Sequence, residues 1–505
     1  MYKNKIIIVF LLVSLSIFSE TGYEDLFIDL TDDNSKDSIT KENKSNFNPD
    51  IGFKLSLTGD HDLEFHIPVT KDNINFDTYY KAPKLKNDFG IELSVKDFDL
   101  VSHWELDLIL NKWGEWDDLL EVTPLENYLS WSPWKFILIA GFQKYSWGTA
   151  DGINPTDNIN PRDYRNSIDP KKLSVFSGYV AFYPFDFFSM EVVYIPFFQK
   201  HKFPEDIIET VEDIFPSADV NIKDTEFKPE YFGLGGKLNF YFRYADFSFS
   251  YLTKVDPNYS ADIDMEKDTN SGYSFYSVDS IDLINRRLHY FGVDFKTNIN
   301  IFGIWVEICY TLTDDYFMNK DDIRNHQFQW ITGFDFNYGP GAEFYLSFQY
   351  FGIYNPGFYY DFYNEYDDGE PEYNKDKEYY ETYYYRSITD SLADIREGVL
   401  QSIVLEMKWP VINSLLTPSI AVMYTIPLIY NTNREARYGS LYLNPELDIK
   451  PIDSFHIKVG ADLFYSWHKL EDKLDINYDG MIGSNYKNTS IYIEIIYKWG
   501  FDFHK

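Results

Sequence analysis

From Phe53 to Val69 the chain alternates with a period of two. Phe53, Leu55, Leu57, Leu63, Phe65, Ile67 and Val69 fall on one phase with Gly59 and His61, and mostly polar residues such as Lys54, Ser56, Thr58, Asp60, Asp62 and Glu64 fall on the other. Over that length the period predicts one long strand with a greasy face and a polar face, where a helix needs a period near 3.6. The signal recurs at Ile301–Leu312, where Phe302, Ile304, Val306, Ile308, Tyr310 and Leu312 oppose Gly303, Trp305, Glu307, Cys309 and Thr311. It returns at Ala342–Tyr350, at Phe455–Tyr465 and in the last strand, where Ile491, Ile493, Ile495, Tyr497 and Trp499 oppose Tyr492, Glu494, Ile496 and Lys498. Each segment has the ~10-residue length of a tilted membrane-crossing strand.

The breaks between strands come in two kinds. Tight ones fall at Asp97–Phe98, Ser132–Pro133, Pro184–Phe185, Tyr244–Ala245, Asn298–Asn300, Gly339–Gly341, Pro410–Asn413 and Pro451–Asp453. Between them lie long polar segments: Thr70–Asn87, Asn111–Pro124, Lys144–Lys172, Pro196–Pro229, Lys254–Asn285, Thr313–Asn325, Gly352–Glu397, Ile426–Arg434 and His468–Asn488. This sorting predicts an all-β fold, a transmembrane antiparallel up-and-down β-barrel with short periplasmic turns and long extracellular loops. The count is about 18 strands, or about 16 if the weak Asn127–Trp131 segment forms none, and either size leaves room for an aqueous channel.

Composition sharpens this picture. Aromatic residues make up 19% of the chain, with 43 Tyr and 43 Phe, at a mean hydropathy of only −0.36. Aromatic girdles around a polar lumen account for that pairing. The formal net charge of −35 argues against nucleic acid or an anionic surface as partner. Lys3 and Lys5 precede an apolar run from Ile6 to Phe18 with Ser19 after it, the pattern of a cleaved signal peptide over 1–19. The polar stretch 20–50 reads as a disordered leader, with a plug as the alternative, and the barrel as 51–505. Cys309 is the only cysteine, so no intramolecular disulfide forms and no lipid-anchored cysteine follows the signal.

The loop Lys144–Lys172 holds the most distinctive motifs: Gln143-Lys144-Tyr145-Ser146-Trp147-Gly148, then Gly152-Ile153-Asn154-Pro155, then Ile159-Asn160-Pro161-Arg162-Asp163. Two Asn-Pro pairs and several Asp predict an ordered loop. The run Gly141–Asp163 resembles the signature of a family of large, poorly characterised outer-membrane barrels, in which Gly-Arg-Gln leads to Trp-Gly and then Asn-Pro-x-Asp. Phe142 stands here in place of the Arg, and Tyr194-Ile195-Pro196 resembles the Tyr-x-Pro that ends a later strand. The resemblance implies fold and location more than substrate.

Two placements of this loop are open: folded inward, or packed on the rim. Inward, Gln143, Trp147, Asp151, Asn154, Asp157, Asn160, Arg162, Asp163 and Arg165 are the candidate constriction, with Arg162, Asp163 and Arg165 facing Asp151 or Asp157. If the greasy faces meet lipid, Glu92, Glu105, Asp107, Glu191, Asp294, Glu307, Asp335, Glu343, Glu406, Glu446, Asp448, Asp462 and Glu494 face the lumen with Lys96, Lys237, Lys296, Lys408, Lys458 and Lys498. That surplus of acid favours cations; charge pairing across strands is the plainer account of some of these residues.

No nucleophile elbow, zinc-binding His-Glu-x-x-His, phosphate loop or cysteine cluster occurs, so neither an enzyme, a metal nor a cofactor is expected. His103 and Ser102 are adjacent on a strand and point to opposite faces, which rules them out as a dyad. The expected function is passage of small solutes through an outer-membrane channel, with membrane lipid and the barrel-assembly machinery as partners. The alternatives are a surface barrel acting in adhesion through Pro196–Pro229, Gly352–Glu397 and its Tyr359–Tyr385 run, and a gated transporter of a hydrophobic ligand. Nothing in the sequence marks a subunit interface.

Overall fold

The computed structural model describes residues 53–69, 83–109, 120–150, 152–165, 170–202, 219–223, 229–268, 275–318, 323–339, 344–356, 399–412, 414–426, 437–470, 473–475 and 488–504. The expected signal peptide and leader, Asp151, Glu343 and the Tyr359–Tyr385 run lie outside them.

The alternating segments form one closed antiparallel barrel of 18 strands. In chain order they are Phe53–Pro68, Lys84–Val95, Phe98–Ile109, Leu120–Trp131, Phe136–Gln143, Val175–Phe185, Phe188–Ile195, Gly233–Tyr241 and Asp246–Val255. The second half is Arg287–Ile299, Phe302–Thr313, Gln327–Tyr338, Phe344–Tyr354, Val399–Lys408, Leu416–Thr425, Arg437–Ile452, Phe455–Leu470 and Ser490–His504. Each strand pairs with its neighbours in sequence. The ring closes where the first strand meets the last, from Lys54↔His504 to Pro68↔Ser490. Closure leaves no unpaired edge, which lets a sheet sit in hydrocarbon.

The phase read from the sequence is the phase observed. Ile91, Phe98, Leu100, Val192, Phe249, Val293, Ile308 and Ile493 are exposed outward, while Asp107, Asp294, Glu307, Glu406, Asp448 and Asp462 are buried on the inner side. A one-residue slip would exchange these faces, so burial fixes the register. At the short-turn end Trp134, Tyr244, Tyr338 and Trp409 are strongly exposed and form an interfacial aromatic girdle. Several of these turns use left-handed residues, Lys96, Trp134, Asn300, Ile412, Ser414 and Gly339, which reverse the chain within a few positions.

Three expectations change. Lys96 does not face the lumen; it occupies the Val95–Phe98 turn at φ 55°. The strand ending in Trp131 starts at Leu120, so part of Asn111–Pro124 is strand rather than loop. Its weak pattern reflects a register shift between Ser102 and Trp104 on the partner strand. There the Asn127 side chain donates to His103 O at 2.9 Å and accepts from Ser102 Oγ at 2.7 Å. The segments Pro196–Pro229 and Lys254–Asn285 are also not loop alone: Asp219–Ile222 runs parallel to Ser280–Leu283 of Phe275–Ile284, which pairs antiparallel with Ser260–Asp268.

Candidate functional site

The loop between Phe136–Gln143 and Val175–Phe185 turns inward, and its own side chains shape it. Asn154-Pro155-Thr156-Asp157 forms a turn closed by Asp157 N on Asn154 O at 3.2 Å, with proline at the position whose φ suits it. Thr156 Oγ1 lies 3.2 Å from Trp147 O. The buried Asn160 amide accepts from Tyr145 N at 2.7 Å and donates to Gln143 O at 3.0 Å and Leu173 O at 2.8 Å, tying the two feet of the loop together. Asp157 pairs with Lys172 and lies 3.9 Å from Arg162. Gln143 clamps the base through Ser177, at 3.2 Å to its carbonyl and 3.0 Å to its hydroxyl.

This segment reaches well past its own strands, as a strap. Tyr145, Trp147 and Ile159 pack on the inward residues Val175, Val193, Ile195 and Leu252 as one apolar cluster. Burial holds the Tyr145 phenol well above its ordinary range. The indole of Trp147 sits 2.9 Å from where a β-carbon on Gly235 would stand, and Thr156 Cγ2 3.1 Å from that of Gly292, so the wall is bare where the strap crosses it. Lys254 Nζ reaches Ile159 O at 3.2 Å. Farther round, the fully buried Glu307 carboxylate accepts from Thr149 N, from Ala150 N at 2.5 Å and from Thr156 Oγ1 at 3.0 Å. Strap donors match the carboxylate there, and among the described residues no cation pairs with it.

The opposite end of the strap holds to another part of the wall. Arg165 binds Asp163 and forms a bidentate pair with Glu121, 2.9 Å at each nitrogen, while Lys171 lies 3.4 Å from Glu105. Contacts therefore run from the third strand, Phe98–Ile109, to the eleventh, Phe302–Thr313. Arg162–Asp163 pairs with Lys171–Lys172, and Lys202 from the next loop bridges to Asp163 and reaches Glu121 at 2.7 Å. Beside that bridge His201 Nδ1 accepts from Arg162 N at 2.7 Å. Burial, with the Lys254 and Arg162 charges nearby, pushes the His201 imidazole down to about 3.

Facing the strap's acidic contacts, the first strands carry charge in rows. Asp60, Asp88 and Glu105 stand directly opposite one another, and so do Asp62, Lys86, Asp107 and Glu121 in the next row. Glu64 binds Lys86 and His66, each at 2.5 Å. Asp294 lies 3.5 Å from Lys237, Lys458 3.4 Å from Glu494, and Asp448 3.1 Å from Lys450. Asp462 and Glu446 accept from Tyr442 at 2.8 Å and Tyr492 at 2.7 Å, and Asp335 accepts from Gly303 N at 3.2 Å.

Of the candidate strap residues, the structure brings Gln143, Trp147, Asn154, Asp157, Asn160, Arg162, Asp163 and Arg165 into one inward body. Arg165 faces the wall acid Glu121 rather than Asp157. The functional list read from sequence leaves out Asp60, Asp62, Glu64 and Asp88, although the same alternation marks each as inward, and Lys84, Lys86 and Glu121, which fall in the polar segments Thr70–Asn87 and Asn111–Pro124 but lie on strands in the structure. Among the described residues no group of three metal-ligating side chains comes together.

No protein-family model matches this sequence, and no curated protein matches it. Solved barrels are similar at low identity. Pseudomonas aeruginosa OccK2 (OpdF) in complex with glucuronate is 8% identical, over 89% of this chain and 98% of that one, at a TM-score of 0.47. P. aeruginosa OpdK with vanillate is 6% identical over 89% and 99%, at 0.46. Acinetobacter baumannii OccAB4 is 9% identical over 91% and 100%, at 0.46.

Proposed function

We propose that this chain is an integral outer-membrane channel that passes small solutes through a polar lumen narrowed by the strap 144–172, with a preference for cations. The observation that carries the reading is the strap: an ordered segment inside a closed barrel, held to Glu105 and Glu121 on one side and to Glu307 on the other. A barrel built only to display loops has no need of an inward partition with polar residues on both sides. Filtering by size and charge requires no covalent step, cofactor or metal. Export by the segment 1–19, insertion by the barrel-assembly machinery and a solvating lipid annulus belong to the same reading.

Cation preference rests on the inward carboxylates, which outnumber the inward lysines; in one row Asp60, Asp88 and Glu105 stand side by side against two cations, Lys498 opposite Asp60 and Lys171 3.4 Å from Glu105. Like charges set directly opposite repel, so the row favours a mobile counter-cation beside it. The test is conductance of the refolded protein in a planar bilayer, with reversal potentials in asymmetric salt. Open steps with a reversal potential of cationic sign support the reading. Correctly folded but silent barrels reject it and favour loop display.

A further inference from the structure

Below the strap, toward the short-turn end, the lumen wall gathers tyrosines around one carboxylate. Glu191 stands directly opposite Ala181 on the sixth strand, Val175–Phe185, and Tyr179 and Tyr183 are the inward residues on either side of that alanine. Diagonal neighbours on one sheet face are within reach of aromatic side chains, and the Tyr179 hydroxyl interacts with the Glu191 carboxylate. Tyr183 lies within electrostatic reach of both Glu191 and Tyr241. Tyr241 ends the eighth strand, Gly233–Tyr241, on the inward phase, with its hydroxyl 3.3 Å from Ser189 Oγ. The adjoining row toward the loops, Tyr179, Val193 and Gly235, is the one the strap covers. There the Tyr145 ring lies 5.8 Å from that of Tyr179, and the Trp147 indole crosses Gly235.

This patch is open to the lumen. Tyr179, Tyr183 and Glu191 are half-buried, and Tyr241 is 42% exposed. The short side chain of Ala181 leaves free the space between the two tyrosines that flank it. A tyrosine ring face attracts cations, most strongly those that shed water easily, and a carboxylate beside it holds the charge in place. Lys237 stands directly opposite Glu191 on the other side, but its ammonium lies 3.5 Å from Asp294, and among the described residues no cation pairs with Glu191. The Asn239 amide donates to Glu191 Oε1 at 2.7 Å and fixes the carboxylate. Asp246 and Asp294 are within electrostatic reach of Tyr241, so the field around the rings disfavours anions. One carboxylate among phenols offers too few oxygens for a metal ion, whereas the methyl groups of an alkylated ammonium pack on the rings. We propose that Glu191, Tyr179, Tyr183 and Tyr241 form a subsite for a methylated ammonium solute of the choline type. The assignment rests on the channel reading, because it names the class of cation that the lumen beneath the strap selects.

The test is calorimetric titration of choline into the refolded full chain in detergent, beside dimethylbutanol, its uncharged carbon isostere; neither titration needs conduction. Choline should bind at least about tenfold tighter than the alcohol, because the rings and the carboxylate both act on the charge. Tyr241→Leu removes a ring and should weaken choline about three- to fivefold, while Tyr241→Phe keeps the ring and should stay within about twofold. Glu191→Gln keeps the shape and removes the charge, with a loss of about fivefold expected. Tyr194→Leu, on the outward face of the same strand as Glu191, should leave binding unchanged, and the heat-dependent gel shift of a closed barrel reports folding of every variant. Absent choline binding, equal binding of choline and the alcohol, or binding indifferent to Tyr241→Leu and Glu191→Gln overturns the proposal. A loss in Tyr241→Phe as large as in Tyr241→Leu would assign the effect to the hydroxyl and overturn it too. Choline binding by a barrel that does not conduct keeps the subsite and removes the channel, and a conducting barrel that ignores choline does the reverse.

Discussion

Glu307 sits near the middle of a 12-residue strand and is fully buried, and its carboxylate takes strap donors more than 150 positions away in sequence. Glu307→Gln keeps the shape but turns one acceptor into a donor that faces backbone N–H groups. Hydrogen bonds to a charged group contribute about 1.5–3 kcal/mol each, so the strap should lose about 2–3 kcal/mol of anchoring. Noisier single-channel current and faster protease cleavage of the loop check this; an unchanged loop would mean that the apolar cluster around Trp147 suffices. His201 makes a second residue-scale prediction. Its ordinary value is 6.5 and its folded value about 3, so between these the unfolded loop binds a proton that the folded loop excludes. The stability it contributes is complete above pH 6.5 and drains away as pH falls toward 3. The protection of the Arg162 amide relative to its intrinsic exchange rate should fall as pH drops across that window in the native protein, and the fall should vanish in His201→Gln. At this scale the sequence marked Glu307 as inward, because alternation is local. It held no sign of Thr149 or Ala150 as partners, because their proximity arises only once the ring is closed.

The strap as an element is held at two ends, and removing it is the direct probe of its role. Deleting Asp151–Asp163 takes out the turn, the Thr156 donor to Glu307 and one strand of the small sheet with Lys171–Lys172. The conductance step should rise and selectivity fall if the strap is the narrowest part, whereas an unchanged step would place the constriction elsewhere. Arg165→Ala frees only the Glu121 end. It should cost about 1 kcal/mol, since that pair is partly exposed to lumen water, and give a smaller change of the same sign. Barrel strands were legible because each has one face toward lipid and one toward the lumen, which writes a period of two into the chain. Ser260–Asp268 and Phe275–Ile284 escaped for the opposite reason. Ala261, Ile263 and Met265 alternate with Asp262, Asp264 and Glu266 for only a few residues, and the signal is lost inside the long polar run Lys254–Asn285.

Over the whole molecule, the excess of inward carboxylate should show as a field. Debye screening shortens from about 10 Å at 0.1 M salt to about 3 Å at 1 M, so cation preference should decline steeply over that range. Selectivity indifferent to salt would show that the inward acids are neutralised pairwise, as Lys86–Glu64 and Lys458–Glu494 already are. Strand number and loop sorting were legible because a closed ring returns both termini to one side and forces its connections to alternate in length. The ring closes between Phe53–Pro68 and Ser490–His504, segments at opposite ends of the barrel sequence. The strap partners described above come from the first eleven strands, so that docking surface is complete before the last strand joins the first. During biogenesis the lumen can thus be furnished while the sheet is still an open trough, and the hoop then shuts around a finished interior. A chain arrested before Ser490 should already protect the strap from protease, making its folding an early event and seam formation a late one.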